Sequence, residues 1–235
     1  MSSPPSPAPW LRCLEGGKPR AILFDVDGTL YSQRWLRARL LLRLAGRAAL
    51  EPRLVRVLWS HRKALETLRR ADHPIAIPDR QLQLTAELAG VPEARVREIV
   101  RKWFVEAPLP LLRSCIRPGL AGLLQLARDR GVLLGVFSDY EAGDKLKALG
   151  VWEFFDVVTS SEDPAIQAYK PNPKGLLVTL ARLGVAPDQA IYVGDRPEVD
   201  AAAARRAGMR AVIVGRAHGY PEFRRRLEES LLRRK

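Results

Sequence analysis

Asp25 and Asp27 stand two residues apart in the run Phe24-Asp25-Val26-Asp27-Gly28-Thr29-Leu30-Tyr31. The apolar stretch before them, 21–24, reads as a buried strand, and Gly28-Thr29 break it, so both carboxylates fall at the strand's carboxyl end. Ligands of open α/β sheets bind at that edge. Three further polar groups follow strand-like runs: Ser138-Asp139 after 132–137, Lys170 in Tyr169-Lys170-Pro171-Asn172-Pro173, and Gly194-Asp195 after 190–193. Strand ends of a parallel sheet converge, so these groups are expected to meet. Crowded carboxylates repel one another and raise one another's pKa unless a cation neutralises them. A hard divalent ion with oxygen ligands, Mg2+ foremost, resolves that conflict. The hydroxyl of Ser138 and the point charge of Lys170 suit the oxygens of a phosphoryl group, and a metal alone would need neither.

The pattern of elements supplies such an edge. Strands are expected over 21–24, 132–137, 157–159, 190–193 and 211–214. Helices are expected over 119–130, 143–149, 173–183 and 198–207, with a basic helix from Pro221 onward. Strand and helix alternate with short connections, which implies an α/β fold: a Rossmann-like parallel sheet core of about five strands with helices on both faces. Between the first strand and the rest, segments 33–49, 52–70, 80–89 and 92–106 carry apolar residues at helical spacing with Arg between them. Pro52 and Pro92 are start signals, Gly90 is a stop, and the prolines of loop 72–78 divide the helices into two pairs. The expected organisation is a disordered tail over 1–19, a core over 20–31 and 115–235, and an all-helical cap over 32–114, inserted after the first strand.

Composition bounds the rest. The 235 residues are 47% hydrophobic and 28% charged, an ordinary balance for a chain with a sizeable core. Cys13 and Cys115 provide neither a disulfide framework nor a zinc spacing. The first nineteen residues lack the basic and apolar regions of a secretory signal, and no apolar run approaches the roughly 20 residues that span a bilayer. A cytoplasmic protein without a membrane partner is expected, as monomer or homodimer. The formal charge is +13, and residues 31–116 hold 17 Lys and Arg against 8 Asp and Glu. The preference for Arg, with abundant Ala, Leu and Pro, fits a GC-rich coding bias, and this is preferred over a functional anion-attracting surface. Nucleic acid is therefore the less favoured partner, though the charge keeps it open.

Four motifs now stand in order: Asp25-Val26-Asp27-Gly28-Thr29; Ser138 ending a strand; Lys170-Pro171; and Gly194-Asp195 with Asp200 five residues later. In this the chain resembles the haloacid dehalogenase superfamily of phosphohydrolases, in particular members with a helical cap inserted after the first motif. The resemblance covers about residues 19–215. It implies that Asp25 attacks phosphorus and forms an aspartyl-phosphate, and that Asp27 protonates the leaving alcohol and then takes a proton from water. It implies Mg2+ held by the Asp25 carboxylate, the Asp27 backbone carbonyl and Asp195, with Ser138, Asp139 and Lys170 on the phosphate and Asp200 in support. Dehalogenating members lack an aspartate at the position of Asp27, because a halide leaves without a proton. The implied activity is a Mg2+-dependent phosphatase acting on phosphomonoesters of small metabolites. A phosphotransferase or sugar-phosphate mutase using the same site, and a nucleic-acid-associated protein using the basic surface, are the alternatives.

Two positions depart from the family pattern. Asp139 stands where Asn is frequent, which places a mildly repulsive carboxylate near the phosphate, and Arg196 stands where a small residue is usual and is expected to face solvent. Arg34, Arg37 and Arg39 follow the first motif closely enough for one to read the substrate, although a solvated helix face is preferred for each. Trp35, Trp59 and Trp103 are expected to pack inside the cap. His61, His73 and His218 lack the spacing of metal ligands and are expected to be structural or exposed. A basic cap over the cleft would favour a small metabolite with a second anionic group.

Overall fold

Strand β1 (Ala21–Phe24) occupies the middle of a five-stranded parallel sheet with order β3-β2-β1-β4-β5. The others are β2 (Leu133–Ser138), β3 (Val157–Ser160), β4 (Ala190–Gly194) and β5 (Arg210–Ile213). The computed structural model describes residues 18–48, 52–70, 78–214 and 220–232. Residues 1–17 of the expected tail, Cys13, His73, His218, loop residues 72–77 and the basic end 233–235 lie outside that set.

Residues of β1 are paired on both sides, Phe24 opposite Val136 of β2 and opposite Val193 of β4. From β1 the chain builds outward to β3, then crosses back to lay β4 on the other flank, so the connections diverge between β1 and β4. That switch point opens a crevice at the carboxyl ends of the two strands. Alternation along each strand divides the core between two faces. Ile22, Phe24, Leu134, Val136, Ile191 and Val193 pack against helices α6 (Leu120–Asp129) and α10 (Tyr220–Leu232). Ala21, Leu23, Phe137 and Tyr192 face α8 (Lys174–Leu183) and α9 (Ala202–Arg206). Each fully buried aliphatic side chain here contributes roughly 2 kcal/mol from removal of apolar surface.

Between β1 and α6 the main elements among the described residues are helices: α1 (Gln33–Ala48), α2 (Pro52–Arg70), α3 (Pro78–Ala89), α4 (Glu93–Val100) and the short α5 (Leu109–Leu112). A wide π-helical turn, Arg101–Glu106, prolongs α4. Sequence periodicity merges these last segments into one helix, because a single π turn continues the helical path and only widens its hydrogen-bonded ring. The short α5, preceded by Pro108 and carrying Pro110 in its first turn, is too brief to show a period. Leu54, Val57, Leu82, Val96 and Ile99 give α2, α3 and α4 a core of their own. Two antiparallel chain segments join the helices to the sheet, with Tyr31 bridged to Ile116 and the Ser32 amide bonded to the Cys115 carbonyl at 2.8 Å.

The tryptophans are corrected. Trp35 and Trp59 are 65% and 62% exposed. At 100° per residue Trp35 lies beside inward-facing Leu36 on α1, and Trp59 lies on the face opposite the inward stripe of Leu54, Val57 and Ala64 on α2. The Lys63 ammonium covers the Trp59 ring at 5.0 Å. Trp103 does pack against the helical core.

Candidate active site

The Asp25 amide donates to Val193 of β4 at 2.9 Å, which continues the ladder one residue past β1 and turns the carboxylate over the strand ends. The side chain is buried. Its Oδ1 accepts a hydrogen bond from Lys170 Nζ at 2.6 Å, and its Oδ2 accepts one from the Thr29 hydroxyl at 2.9 Å. Lys170 is itself 2% exposed and also donates to Asp200 at 2.8 Å and to the Tyr192 hydroxyl at 3.0 Å. Asp200 lies in the helical turn opened by Pro197, and its second oxygen accepts the backbone amides of Asp195 and Arg196 at 3.1 and 2.9 Å. Sequence-remote motifs therefore meet as one hydrogen-bonded chain. Two glycines allow the approach. Gly28 has φ +96°, and a Cβ there would stand 2.2 Å from Asp195 Oδ2, while a Cβ on Gly194 would stand 2.4 Å from Asp200.

Carboxylate oxygens of Asp25, Asp195 and Asp200 lie within 4.8 Å of one another. When ionised, three carboxylates face one Lys170 ammonium, so two negative charges are uncompensated. The consequence is visible in their acidities. Burial, reinforced by Asp200 and Asp27, pushes Asp25 up to about 7 despite Lys170. Burial and Asp200 push Asp195 up to about 6. Burial would lower Lys170, but Asp200 and Asp25 hold it well above the ordinary lysine range. An all-oxygen donor set with an excess of two negative charges fits a hard divalent cation such as Mg2+. The oxygens of Asp200 are engaged by Lys170 and two amides and those of Asp25 by Lys170 and Thr29, which leaves Asp195 the freest ligand of the three.

Asp27 sits in a different field. Lys145, in the first turns of α7 (Gly143–Leu149), donates to both its carboxylate oxygens at 2.8 and 2.7 Å, and the Tyr31 hydroxyl donates to Oδ1. Burial alone would raise Asp27, but the ammonium beside it and these hydrogen bonds outweigh burial and hold its carboxyl below the ordinary range. Two neighbouring aspartates are thus driven apart, Asp25 up and Asp27 down.

The phosphate-side expectations fare unevenly. Ser138 ends β2 but is fully buried, and its oxygen accepts the Tyr140 amide at 3.3 Å. Asp139 is not a free repulsive charge. Its Oδ2 is paired with Arg69 of α2, and its Oδ1 accepts the Lys170 amide at 3.1 Å. Arg196 does not simply face solvent, because it bonds Glu66 of α2 at 3.1 Å and Glu198 at 2.9 Å. Glu66 and Arg69, one helical turn apart, thereby grip the two positions at which the chain departs from the family pattern. Of the early arginines, Arg37 borders the cavity over the carboxylates, Arg39 is tied to Ser114, and Arg34 is exposed. His61 is buried and lies 3.1 Å from the Thr85 hydroxyl through Nδ1, a structural role.

Sequence reasoning missed Thr29, Tyr31, Lys145, Glu66 and Arg69. Thr29 and Tyr31 each follow their aspartate by four residues, a spacing available in the sequence. Lys145 carried only the weak signal of opening a helix just past a strand end. The cavity encloses about 610 Å3 between the strand ends and α1–α4, and Asp25, Asp27, Lys145, Lys170 and Asp195 all border it.

Comparisons with known proteins agree with this geometry. The family model for haloacid dehalogenase-like hydrolases matches residues 19–208. A glyceraldehyde 3-phosphate phosphatase of Methanopyrus kandleri is 32% identical over 206 residues, 84% of each chain. A phosphoserine phosphatase of Thermus thermophilus is 35% identical over 133 residues, 55% of this chain and 51% of that protein. Among solved structures, a phosphatase of Thermococcus onnurineus superposes with a TM-score of 0.56 at 26% identity, covering 84% of this chain and 87% of the other.

Proposed function

The chain belongs to the haloacid dehalogenase-like hydrolases, and from that premise we propose that it hydrolyses phosphomonoesters through a covalent phosphoryl group on Asp25, assisted by Mg2+. The observation that carries this is the opposed pair at the end of β1: Asp25, hydrogen-bonded by Lys170 and Thr29, beside Asp27, hydrogen-bonded by Lys145 and Tyr31.

Asp25 attacks phosphorus as the bond to the leaving alcohol oxygen breaks, and a proton from Asp27 goes to that oxygen. Water then attacks the phosphorus of the aspartyl-phosphate, giving its proton to Asp27, and inorganic phosphate leaves with Asp25 restored. Lys170 keeps the attacking carboxylate aimed and supplies positive charge to the transferring oxygens, and Asp200 holds Lys170 in place. Mg2+, held by the carboxylates of Asp25 and Asp195 and the Asp27 carbonyl, would neutralise the phosphate and orient it for in-line attack. Asp139 acts through Arg69 and its bond to the Lys170 amide. Ser138, at the end of β2, completes the phosphate side. The helices over 32–114 act as a cap that excludes water from the aspartyl-phosphate.

The substrate is a phosphorylated small molecule. A phosphotransferase or mutase would need an acceptor hydroxyl, so release of inorganic phosphate without one separates the two. Basic helix α10 gives the nucleic-acid alternative little support, since Arg225 and Arg226 are paired with Glu222 and Glu229. A phosphate-release screen with Mg2+ over phosphorylated metabolites, beside Asp25→Asn, tests the proposal. Release by the wild type alone supports it, and silence on every substrate or equal release by Asp25→Asn contradicts it.

A further inference from the structure

We propose, on the basis of phosphomonoester hydrolysis at Asp25, that the alcohol portion of the substrate is apolar: an aromatic or branched-hydrocarbon body seated between α1 and the α2–α4 bundle. Two hydrophobic clusters face each other there without meeting. Leu36 and Leu40 of α1 belong to the sheet-side core, whereas Leu58, Leu82 and Trp103 belong to the core of the helical bundle. All five border the same cavity as Asp25, Asp27 and Lys170. At about 610 Å3 the cavity falls in the range of roughly 300–1,000 Å3 that houses drug-sized ligands. A two- or three-carbon phosphate would leave most of it empty. Apolar walls too far apart to touch forgo dispersion contacts and leave hydrophobic surface against water, and an apolar guest restores both.

Exposure points the same way. The π-helical turn Arg101–Glu106 has no buried residue, yet Trp103, Phe104 and Val105 follow one another along it and all border the cavity. Phe104 is 37% exposed, and Leu41, on the opposite wall, is 63% exposed. An ordinary helical turn would direct three consecutive side chains to different faces. Here three apolar groups are presented together beside a catalytic crevice.

Two polar groups on the wall, Gln81 and Arg69, are already spent on protein partners, which argues against a sugar body. The Gln81 amide nitrogen donates to the His61 carbonyl at 3.1 Å and to the Tyr140 hydroxyl at 3.0 Å, and its oxygen accepts from the Tyr169 hydroxyl at 2.9 Å. Arg69 is committed to Asp139 and Glu66. A polyhydroxylated guest would surrender hydrogen bonds to water and find few replacements. Of the remaining cations, Arg37 lies beside Arg62 and within the field of Asp195 and Asp27, so it serves the phosphate end. It would attract the phosphate dianion and needs no second anionic group.

The experiment measures binding without turnover. Asp25→Asn protein with Mg2+ is titrated calorimetrically with 2-(2-naphthyl)ethyl phosphate and with glycerol 3-phosphate, both alkyl esters of similar leaving-group reactivity. The expected result is at least tenfold tighter binding of the naphthylethyl ester, with a more negative heat-capacity change. Leu41→Asp and Leu58→Gln, each added to that protein, should shrink the ratio, and exposed Leu41 keeps the test independent of folding. Equal or tighter binding of glycerol 3-phosphate, or a ratio unmoved by both substitutions, overturns the assignment. Phosphate release by the wild type from the same two esters is read separately. Release from glycerol 3-phosphate with no naphthylethyl advantage in binding sinks the apolar site alone, whereas tight naphthylethyl binding without any release sinks the hydrolase reading alone.

Discussion

Lys145 Nζ donates to both carboxylate oxygens of Asp27, at 2.8 and 2.7 Å, and so holds the proposed general acid as an ion pair. A general acid must carry a proton before it can give one away. Lys145 stabilises the ionised form, which lowers the Asp27 pKa and sets the pH above which the acid is spent. An arriving phosphate dianion competes for the same ammonium, so substrate binding would release Asp27 to its proton.

Replacement of that ammonium is therefore expected to move the pH profile. In Lys145→Met the descending alkaline limb of kcat, which reports Asp27 in the substrate complex, should shift to higher pH. Tyr31→Phe should shift it the same way by less. The measurement is kcat across pH 5–9 with saturating Mg2+, and an unmoved limb in Lys145→Met would show that the pair has no part in proton transfer.

Arg69 and Asp139 form an ion pair whose side chains are only 9% and 8% exposed. Removing one partner of a buried pair leaves the other desolvated and uncompensated, at about 3 kcal/mol. Arg69→Met is expected to lower the urea midpoint accordingly. The outer pair, Arg196 with Glu66, is about one-third exposed on each side and should contribute about 1 kcal/mol or less. Similar losses from Arg69→Met and Arg196→Met would refute this ranking.

The sheet was legible because its strands are short apolar runs, and three of the four motifs sit where a run closes, while Lys170 lies further along the loop after β3. Asp25, Lys170, Asp195 and Asp200 could be placed together from topology alone, since parallel strands must share an edge. What could not be read was everything governed by rotation and by contact between helices. Trp35 falls one position off the inward stripe, and Trp59 falls on the face opposite it. Arg69 reaches Asp139 across 70 positions of sequence, and Lys145 reaches Asp27 across 118. No local spacing encodes such distances. Short segments such as α5 and the π turn after α4 carry too few residues to show a period.

Metal binding should depend on pH with a definite sign. Asp25 at about 7 and Asp195 at about 6 stand above the ordinary 3.8. In the metal-free protein their contribution to stability is fully present below about pH 3.8 and is lost as pH rises through 6 to 7. Mg2+ requires the ionised forms, so its stabilising effect should grow over the same interval. At a hundredfold excess over Kd it reaches about 3 kcal/mol. Thermal unfolding with and without Mg2+ is expected to show a small shift at pH 5 and a large one at pH 8, lost in Asp195→Asn. A shift equal at both pH values would rule out these carboxylates as the ligands.

His61 contributes in the opposite direction. Burial lowers its pKa to about 4 from 6.5, so its share of stability is present above pH 6.5 and lost as pH falls through 4. The loss amounts to about 3 kcal/mol at most. Urea unfolding of wild type and His61→Gln should converge on acidification between those limits. Parallel curves would indicate that the imidazole is not held neutral.

The central claim, that Asp25 itself carries the phosphoryl group, is tested most directly by trapping it. Protein mixed with a phosphomonoester and Mg2+, quenched in acid within a single turnover and digested, should yield the peptide containing Asp25 with one added phosphoryl group. Asp25→Asn should yield none. Phosphate release without any such adduct, or an adduct that persists in Asp25→Asn, would contradict the account.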